Sequence, residues 1–372
     1  MRSMHRFIIL GSSFLLATGA TNASASDCAS VLSSYNYYTS SDCTSYSSDP
    51  SCSDSAGQLV ANHPECFGGS STTSQTQISA TSVQHSAAIS NAIAARTLGA
   101  SPMGPQTAGA EVKSMAAGGK NAAFNVWASG TINSTEQNYT SSTNAIVKND
   151  SDIRTKVLGG DYAISPTMAL GLSLAFDSGD GGSVANPFTS KGYIIAPYFG
   201  LQILNDLAAD VSFGIGRGEM DMTGNLSTDS DRFFAATNLS YSKWYDNAQL
   251  TGKLGYLHAE EKYENTKNNG VEQARTDATN KMEQLRAGVQ AGYWLNGFMP
   301  YLGLTYVNDT RRSTTQIGAT EDPIGRDALQ WTAGINFISI ANSLTAGLAY
   351  SQEQGRTNQD NDVIMANINY RF

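Results

Sequence analysis

The feature that most constrains this chain is a two-residue hydrophobic period that starts near residue 122 and continues to Phe372. Between residues 168 and 176, for example, leucines alternate with small or polar side chains. Successive side chains of an extended strand point to opposite faces, so each strand has one apolar face and one small or polar face. The predicted strands, twelve in all, cover residues 122–134, 150–164, 167–178, 190–203, 207–219, 230–245, 248–261, 278–295, 298–308, 326–339, 343–354 and 362–372.

The connections between these strands alternate in length. Longer polar connections alternate with two-residue turns, which are Ser165-Pro166, Asn205-Asp206, Asp246-Asn247, Asn296-Gly297 and Ala341-Asn342. Short periplasmic turns and long outer loops are typical of bacterial outer-membrane barrels, and a closed sheet has no edges that lipid would leave unsatisfied. The pattern predicts an all-β fold, a 12-stranded antiparallel transmembrane β-barrel over residues 122–372. A soluble β-sandwich or soluble barrel is the alternative, but it would pack its apolar faces inward.

The N-terminus has the features of a secretory signal peptide. Arg2 and Arg6 form a basic start, residues 7–17 contain a short apolar run, and Ala23-Ser24-Ala25 offers an A-x-A cleavage site. We therefore predict export by the Sec machinery and cleavage between Ala25 and Ser26. A membrane anchor helix is the alternative, although the apolar run is short for a bilayer. No later stretch reaches the roughly 18 apolar residues that a membrane-spanning helix needs.

Residues 26–80 form a Ser/Thr-rich segment that contains all 4 cysteines of the chain. An even number of cysteines in a short exported segment predicts two disulfides, but the sequence does not choose among the possible pairings. A metal site is the weaker interpretation, because the segment has no C-x-x-C motif and His63 is its only histidine. The disulfide candidates are Cys28, Cys43, Cys52 and Cys66.

Residues 81–99 change to an alanine-rich sequence whose apolar side chains recur at roughly helical spacing, and Gly99 is a suitable C-cap. A helix of about 18 residues would be about 27 Å long, close to the hydrocarbon thickness of a bilayer. It could thread the barrel lumen, with Arg96 among the lumen charges, or lie exposed to solvent in the periplasm. Residues 100–121 contain helix-breaking prolines and glycines and are interpreted as a linker.

Several ionisable residues within the predicted strands are assigned to the lumen face. They could set the ion selectivity of a pore or hold the helix near Arg96. They could equally form charge pairs that simply fill a wet interior. These residues are Lys156, Asp161, Asp210, Lys253 and Arg286.

The sequence offers little catalytic chemistry, and it contains neither G-x-S-x-G nor H-E-x-x-H. His258-Ala259-Glu260-Glu261 is interpreted as a solvated loop edge, and the glycines of Gly214–Gly218 as a relief of crowding in a narrow barrel. Asp177–Gly181 resembles part of a calcium loop without its distal acid, so we predict a polar surface loop there. We expect no enzymatic activity, no cofactor and no metal. The formal charge of −9 argues against nucleic acid as a partner.

Several stretches of the barrel resemble the autotransporter outer-membrane β-barrel domains of type V secretion. Phe124–Gly130 is similar to their opening strand, Leu158–Pro166 followed by Leu170–Leu174 resembles their second hairpin, and Pro197–Gly200 their fourth strand. The chain ends with Ile368, Tyr370 and Phe372 in alternation, similar to the terminal signal that the barrel assembly machinery reads. The resemblance covers the whole barrel. It implies a twelve-stranded pore, an N-terminal helix through it and an upstream passenger delivered to the surface.

The region in front of the barrel departs from the family, whose passengers are usually long β-helices, because residues 26–80 are short and show no solenoid repeat. The leading hypothesis is a monomeric barrel in the outer-membrane lipid of a Gram-negative bacterium. It would anchor residues 26–80 and deliver them to the cell surface, where their ligand is unknown. A small porin-like or structural barrel with a periplasmic N-terminal segment is the alternative. A surface enzyme or adhesin built from the long loops is a third hypothesis, for which the sequence contains no site.

Overall fold

The structure is a computed structural model, and it describes residues 84–95, 124–140, 146–165, 167–182, 187–273, 276–314, 324–339 and 343–372. Residues 84–95 form a helix, α1. Some of the residues predicted above for signal cleavage, disulfides and the lumen helix lie outside the described part of the chain. They are Ala25, Ser26, Cys28, Cys43, Cys52, Cys66 and Arg96.

Twelve long strands form the wall of a closed barrel, and two short ones, β8 and β9, form a hairpin within a connection. All strand pairs are antiparallel, and β1 pairs with β14 to close the ring. The predicted 12-stranded antiparallel barrel is therefore confirmed. The strands are β1 (Phe124–Thr140), β2 (Ile146–Ser165), β3 (Met168–Gly182), β4 (Pro187–Leu204), β5 (Leu207–Met222), β6 (Leu226–Tyr245), β7 (Ala248–Tyr263), β8 (Lys267–Asn268), β9 (Val271–Glu272), β10 (Ala278–Tyr293), β11 (Phe298–Thr314), β12 (Asp327–Ser339), β13 (Leu344–Gln354) and β14 (Gln359–Arg371).

Many wall strands extend further than predicted at the end of the barrel that carries the long connections, which we call the long-loop end. The other end is the short-turn end. β1 continues to Thr140, and β2 begins at Ile146, whereas the apolar alternation ends at 134 and resumes at 150. The prediction of a surface loop at Asp177–Gly181 was wrong, because these residues lie within β3. Alternation of apolar side chains marks only the band that faces lipid, and a polar strand beyond that band gives no such signal.

Aromatic side chains cover the outward face at the short-turn end. The ring centroids of Phe124 and Phe372 lie 6.3 Å apart, and those of Phe298 and Phe337 lie 5.3 Å apart. The backbone N–H of Phe372 donates to the carbonyl of Phe124 at 3.0 Å, so the last residue is tied to the first strand. An aromatic girdle of this kind is typical of the membrane interface of a barrel.

Glycines on the lumen face make room for large side chains that point inward from neighbouring strands. A Cβ on Gly171 would lie 2.1 Å from Cζ of Tyr198, and a Cβ on Gly214 would lie 2.0 Å from Cε1 of Phe234. Both distances are far below van der Waals contact. The glycines therefore let Tyr198 and Phe234 lie flat across the adjacent strand, in agreement with the interpretation of Gly214 as a relief of crowding.

Gly171→Ala should lower the free energy of unfolding by about 1–3 kcal/mol, because the added methyl overpacks the wall and displaces the Tyr198 ring. Tyr198 would also lose its hydrogen bond to Asp161, which is 2.9 Å long. Denaturant unfolding in detergent micelles measures the change. Gly130→Ala is the matched control, since a Cβ on Gly130 meets nothing within 4 Å. Equal losses in the two variants would contradict the packing explanation.

Candidate functional site: the occupied barrel lumen

The helix α1 (84–95) packs against the lumen side of the first half of the barrel wall. Ile89 and Ile93 are 1% and 0% exposed and belong to a buried apolar cluster. The part of the lumen face that contacts the helix is therefore apolar. A polar lumen was expected, but the helix covers this part of the wall. The wall residues of the cluster are Trp127, Val157, Ala175, Ile194, Ala196, Tyr198, Phe234, Ala236, Leu257 and Ala259. No helix within the described ranges is both long enough and apolar enough to cross a bilayer.

The N-terminal end of α1 points toward the long-loop end. Gln84 donates a hydrogen bond to Thr135, which lies in the half of β1 nearer the long loops. Ser90 accepts a hydrogen bond of 3.5 Å from Asn238, which lies in the half of β6 nearer the short turns. The chain direction along α1 is therefore from the long-loop end toward the short-turn end.

A buried group of ionisable side chains, which we call the Arg232 cluster, comprises His85, Asp177, Arg232 and Glu261. The guanidinium of Arg232 donates from Nη1 to Asp177 Oδ1 and from Nε to Glu261 Oε1, each at 2.7 Å. On α1, His85 Nε2 lies 3.1 Å from Asp177 Oδ2, and its Nδ1 lies 3.4 Å from Thr155 Oγ1. The four side chains are at most 6% exposed. The cluster joins β3, β6 and β7 and contacts the first turn of α1.

Two glycines explain how Arg232 on β6 reaches Asp177 on β3 across two intervening strands. Gly218 on β5 pairs with Gly192 on β4, and Gly192 pairs with Asp177 on β3. A Cβ on Gly192 would lie 2.1 Å from Nη1 of Arg232, and a Cβ on Gly218 would lie 2.5 Å from Nη2. The side chain of Arg232 therefore lies in a groove that exists only because both positions are glycine.

A second group of charges lies at the long-loop end and comprises the buried Asp309, Glu353 and Arg356 and the partly buried Arg312. Arg356 follows β13 and donates from Nη1 to Asp309 Oδ2 at 2.6 Å and from Nε to Glu353 Oε2 at 3.2 Å. Arg312 also pairs with Asp309. Burial alone would lower the pKa of the Arg356 guanidinium, but Glu353 and Asp309 raise it above its ordinary value. These contacts connect β11 to the turn between β13 and β14.

Between α1 and the side of the wall formed by β10–β14, with parts of β1, β6 and β7, lies a cavity of about 280 Å³. Polar side chains of both the helix and the wall line it. From the wall, Arg286 Nη1 donates to Asn91 Oδ1 of α1 at 2.6 Å, and Lys253 Nζ donates to Gln290 Oε1 at 2.8 Å. Within the described ranges, no group of three or more His, Cys, Asp or Glu side chains has the arrangement of a metal site.

Most of the ionisable residues that were assigned to the lumen do face it. Asp161 accepts hydrogen bonds from Asn125 and Tyr198 at 3.0 and 2.9 Å. Asp210 accepts one from Asn238 at 3.0 Å. As described above, Lys253 and Arg286 line the cavity.

The assignment of Lys156 to the lumen was wrong. Lys156 is exposed on the outward face, whereas its neighbours Thr155 and Val157 are buried on the lumen face. Lys156 and Asp161 both lie in β2 and are separated by an odd number of positions, so the alternation of a strand places them on opposite faces.

Sequence reasoning missed the Arg232 cluster and the charges around Arg356. Asp177 lies within the predicted strand 167–178 and has the same parity as the lumen-facing Ser173, so applying the alternation of that strand would have identified it. The loop-edge interpretation of His258 was also wrong: His258 lies within β7 and is partly exposed, and its Nδ1 is 3.8 Å from Glu283 Oε1. Glu261, in the same strand, is buried on the lumen side.

Comparison with known proteins agrees with this geometry. The family model described as autotransporter beta-domain matches residues 126–351. The translocator domain of autotransporter NalP from Neisseria meningitidis is similar with a TM-score of 0.57 and 12% identity, over 68% of this chain and 90% of that one. The beta domain of the Bordetella autotransporter Brka is similar with a TM-score of 0.52 and 13% identity, over 67% and 100%. At these identities the two structures share the fold. A search of the curated proteins found no match.

Proposed function

Because this chain belongs to the autotransporter beta-domain family, we propose that its barrel delivers residues 26–80 to the cell surface and anchors them there. The barrel itself is an autotransporter barrel of the outer membrane of a Gram-negative bacterium. The proposal concerns the role of the segment in front of α1. Its ligand at the surface is unknown.

The direction of α1 carries this proposal. The helix begins at Gln84 near Thr135, toward the long loops, and runs inward from there. Long loops of outer-membrane barrels are extracellular and short turns are periplasmic. A chain segment that precedes the helix would therefore leave the lumen on the extracellular side. This direction favours surface delivery over a periplasmic N-terminal segment.

The porin-like alternative requires a lumen wide enough for solutes to pass. Here Ile89 and Ile93 of α1 are packed against the wall, and the cavity beside the helix is about 280 Å³. The helix would have to leave the lumen before a porin-like pore formed. We therefore prefer transport and anchoring, and we expect no enzymatic activity from the barrel.

Two partners belong to the same proposal. Ile368, Tyr370 and Phe372 would form the signal for the barrel assembly machinery, since all three face outward at the closing strand and are 49%, 45% and 63% exposed. A machinery that reads the last strand before closure could contact these side chains directly. The Sec machinery would export the chain through the predicted signal at residues 1–25, with the cysteines of residues 26–80 forming disulfides in the oxidising periplasm.

Surface delivery can be tested with an epitope inserted after Gln75. We expect an antibody to label intact cells, because this position precedes α1 in the chain and α1 begins toward the extracellular end of the barrel. Matched controls are the same epitope in the Asn269-Gly270 turn of the β8–β9 hairpin and in the short turn at Asp246-Asn247. The first control should label intact cells and the second only permeabilised cells. Labelling of the Gln75 epitope only after permeabilisation would contradict the proposal.

A further inference from the structure

Two cationic side chains lie side by side in the cavity beside α1. In the antiparallel pair formed by β7 and β10, Lys253 pairs with Gly288 and Arg286 pairs with Gly255. The two cations therefore occupy diagonal positions on the lumen face, with Cα atoms roughly 7–8 Å apart. Within this strand pair, the residue opposite each cation is a glycine. On their other sides, Lys253 pairs with Ser240 of β6 and Arg286 with Val307 of β11, neither of which carries a charge.

Both cations are held by neutral partners. Lys253 donates to the amide oxygen of Gln290, and Arg286 donates to the amide oxygens of Gln284 and Asn91. Within the described part of the chain, neither makes an ion pair with a carboxylate. The other arginines that line the cavity differ in this respect, since Arg312 and Arg356 pair with Asp309 and Glu353.

The cavity therefore has an excess of positive charge. Its described ionisable lining residues are Lys253, Arg286, Asp309, Arg312, Glu353 and Arg356. The two carboxylates in this group are already paired with two arginines, so four cationic side chains face two anionic ones. Like charges at diagonal positions repel each other, and a narrow lumen inside a low-dielectric wall screens them weakly. An anion between them would remove this repulsion.

We propose that Lys253 and Arg286 bind a small inorganic anion, of the class of chloride or phosphate, in the lumen beside α1. A planar guanidinium donates parallel N–H bonds to an oxyanion, and an ammonium group acts as a compact point charge. A cavity of about 280 Å³ has room for such an anion and several waters. This site is independent of the surface delivery proposed above.

The test uses the full-length protein in detergent micelles and measures the midpoint temperature of unfolding. Samples contain potassium chloride, potassium phosphate or potassium gluconate at equal ionic strength, with gluconate as the bulky reference anion. We expect chloride or phosphate to raise the midpoint by about 2 °C or more, because an anion that binds only the folded state stabilises it. No difference from gluconate in the natural protein would overturn the proposal.

Variants separate this site from general salt effects. K253Q/R286Q should lose the anion-dependent shift, whereas K253R/R286K keeps both charges and should retain it. K156Q is the matched control, because Lys156 is a cation on the outward face of the same barrel. If the double variant does not assemble, K253Q alone should reduce the shift, since Lys253 contacts a single amide. An unchanged shift in the variants that remove charge would mean adventitious binding only and would refute the site.

Discussion

Deletion of residues 84–95 should raise the single-channel conductance of the barrel in planar lipid bilayers on the order of tenfold, because a helix about 10 Å wide would leave the lumen. Ile89 and Ile93 are buried between the helix and the wall, so α1 blocks the apolar half of the lumen. The remaining cavity of about 280 Å³ is lined by polar side chains that would then face a continuous aqueous space.

The barrel should survive this deletion, because its closed ladder of backbone hydrogen bonds does not involve α1. Deletion of residues 26–80 is the matched control: it shortens the chain but keeps the helix, and its conductance should equal that of the natural protein. A second test variant, Ile89→Asp, places a charge in the apolar cluster without shortening the chain. It should cause frequent channel openings. Equal conductance with and without α1 would favour the porin-like alternative.

The strand number could be predicted from the sequence because lipid imposes the same requirement on every wall strand. In β3, Leu170 and Leu172 must face hydrocarbon, and Gly171 and Ser173 must then face inward. Twelve strands with this pattern, joined by turns of alternating length, are compatible with few folds other than a transmembrane barrel. The ends of the strands were harder to predict, because β1 and β2 continue beyond the lipid as polar segments that still form backbone hydrogen bonds.

The lumen charges were harder to predict because their contacts depend on register between strands. Asp177 and Arg232 are far apart in sequence, and they meet only because Gly192 and Gly218 align between them. A single sequence does not show which residues pair between neighbouring strands. The error at Lys156 had a simpler cause, since counting positions from Asp161 would have placed it on the outward face.

From the sequence, α1 could lie either in the barrel lumen or exposed in the periplasm, and the sequence did not decide between the two. The spacing of Ile89 and Ile93 indicates one apolar face, and either a lumen wall or another surface could cover it. The structure adds the covering residues, which include Trp127 and Phe234 on the lumen side. Inward-pointing aromatic residues of this size were a usable signal, because a water-filled lumen has no need for them.

The Arg232 cluster leads to the second large expected effect: Arg232→Ala should lower the free energy of unfolding by about 3–5 kcal/mol. Removing the guanidinium leaves Asp177 and Glu261 buried without their cation, and both carboxylates are almost fully inaccessible to solvent. The cost of an uncompensated buried charge is what makes this single truncation so unfavourable. Denaturant unfolding in detergent micelles measures the loss, and the temperature at which the folded band disappears on a gel provides a second measurement.

Arg217→Ala is the matched control, because Arg217 belongs to the neighbouring strand β5 and pairs with Asp231 at 3.6 Å. Its side chain is 76% exposed, and water compensates the loss of an exposed pair, so stability should change little. Similar losses in both variants would contradict the importance of burial.

A triple variant, Asp177→Asn with Arg232→Met and Glu261→Gln, removes the charges together and should recover much of the stability that Arg232→Ala loses. It would also replace the carboxylate that lies beside His85 of α1 with a neutral amide. If the cluster holds the helix in the lumen as well as stabilising the wall, the triple variant should be stable and yet open more often in bilayers. Restored stability with unchanged conductance would limit the cluster to the wall, and α1 would then be held by its apolar packing alone.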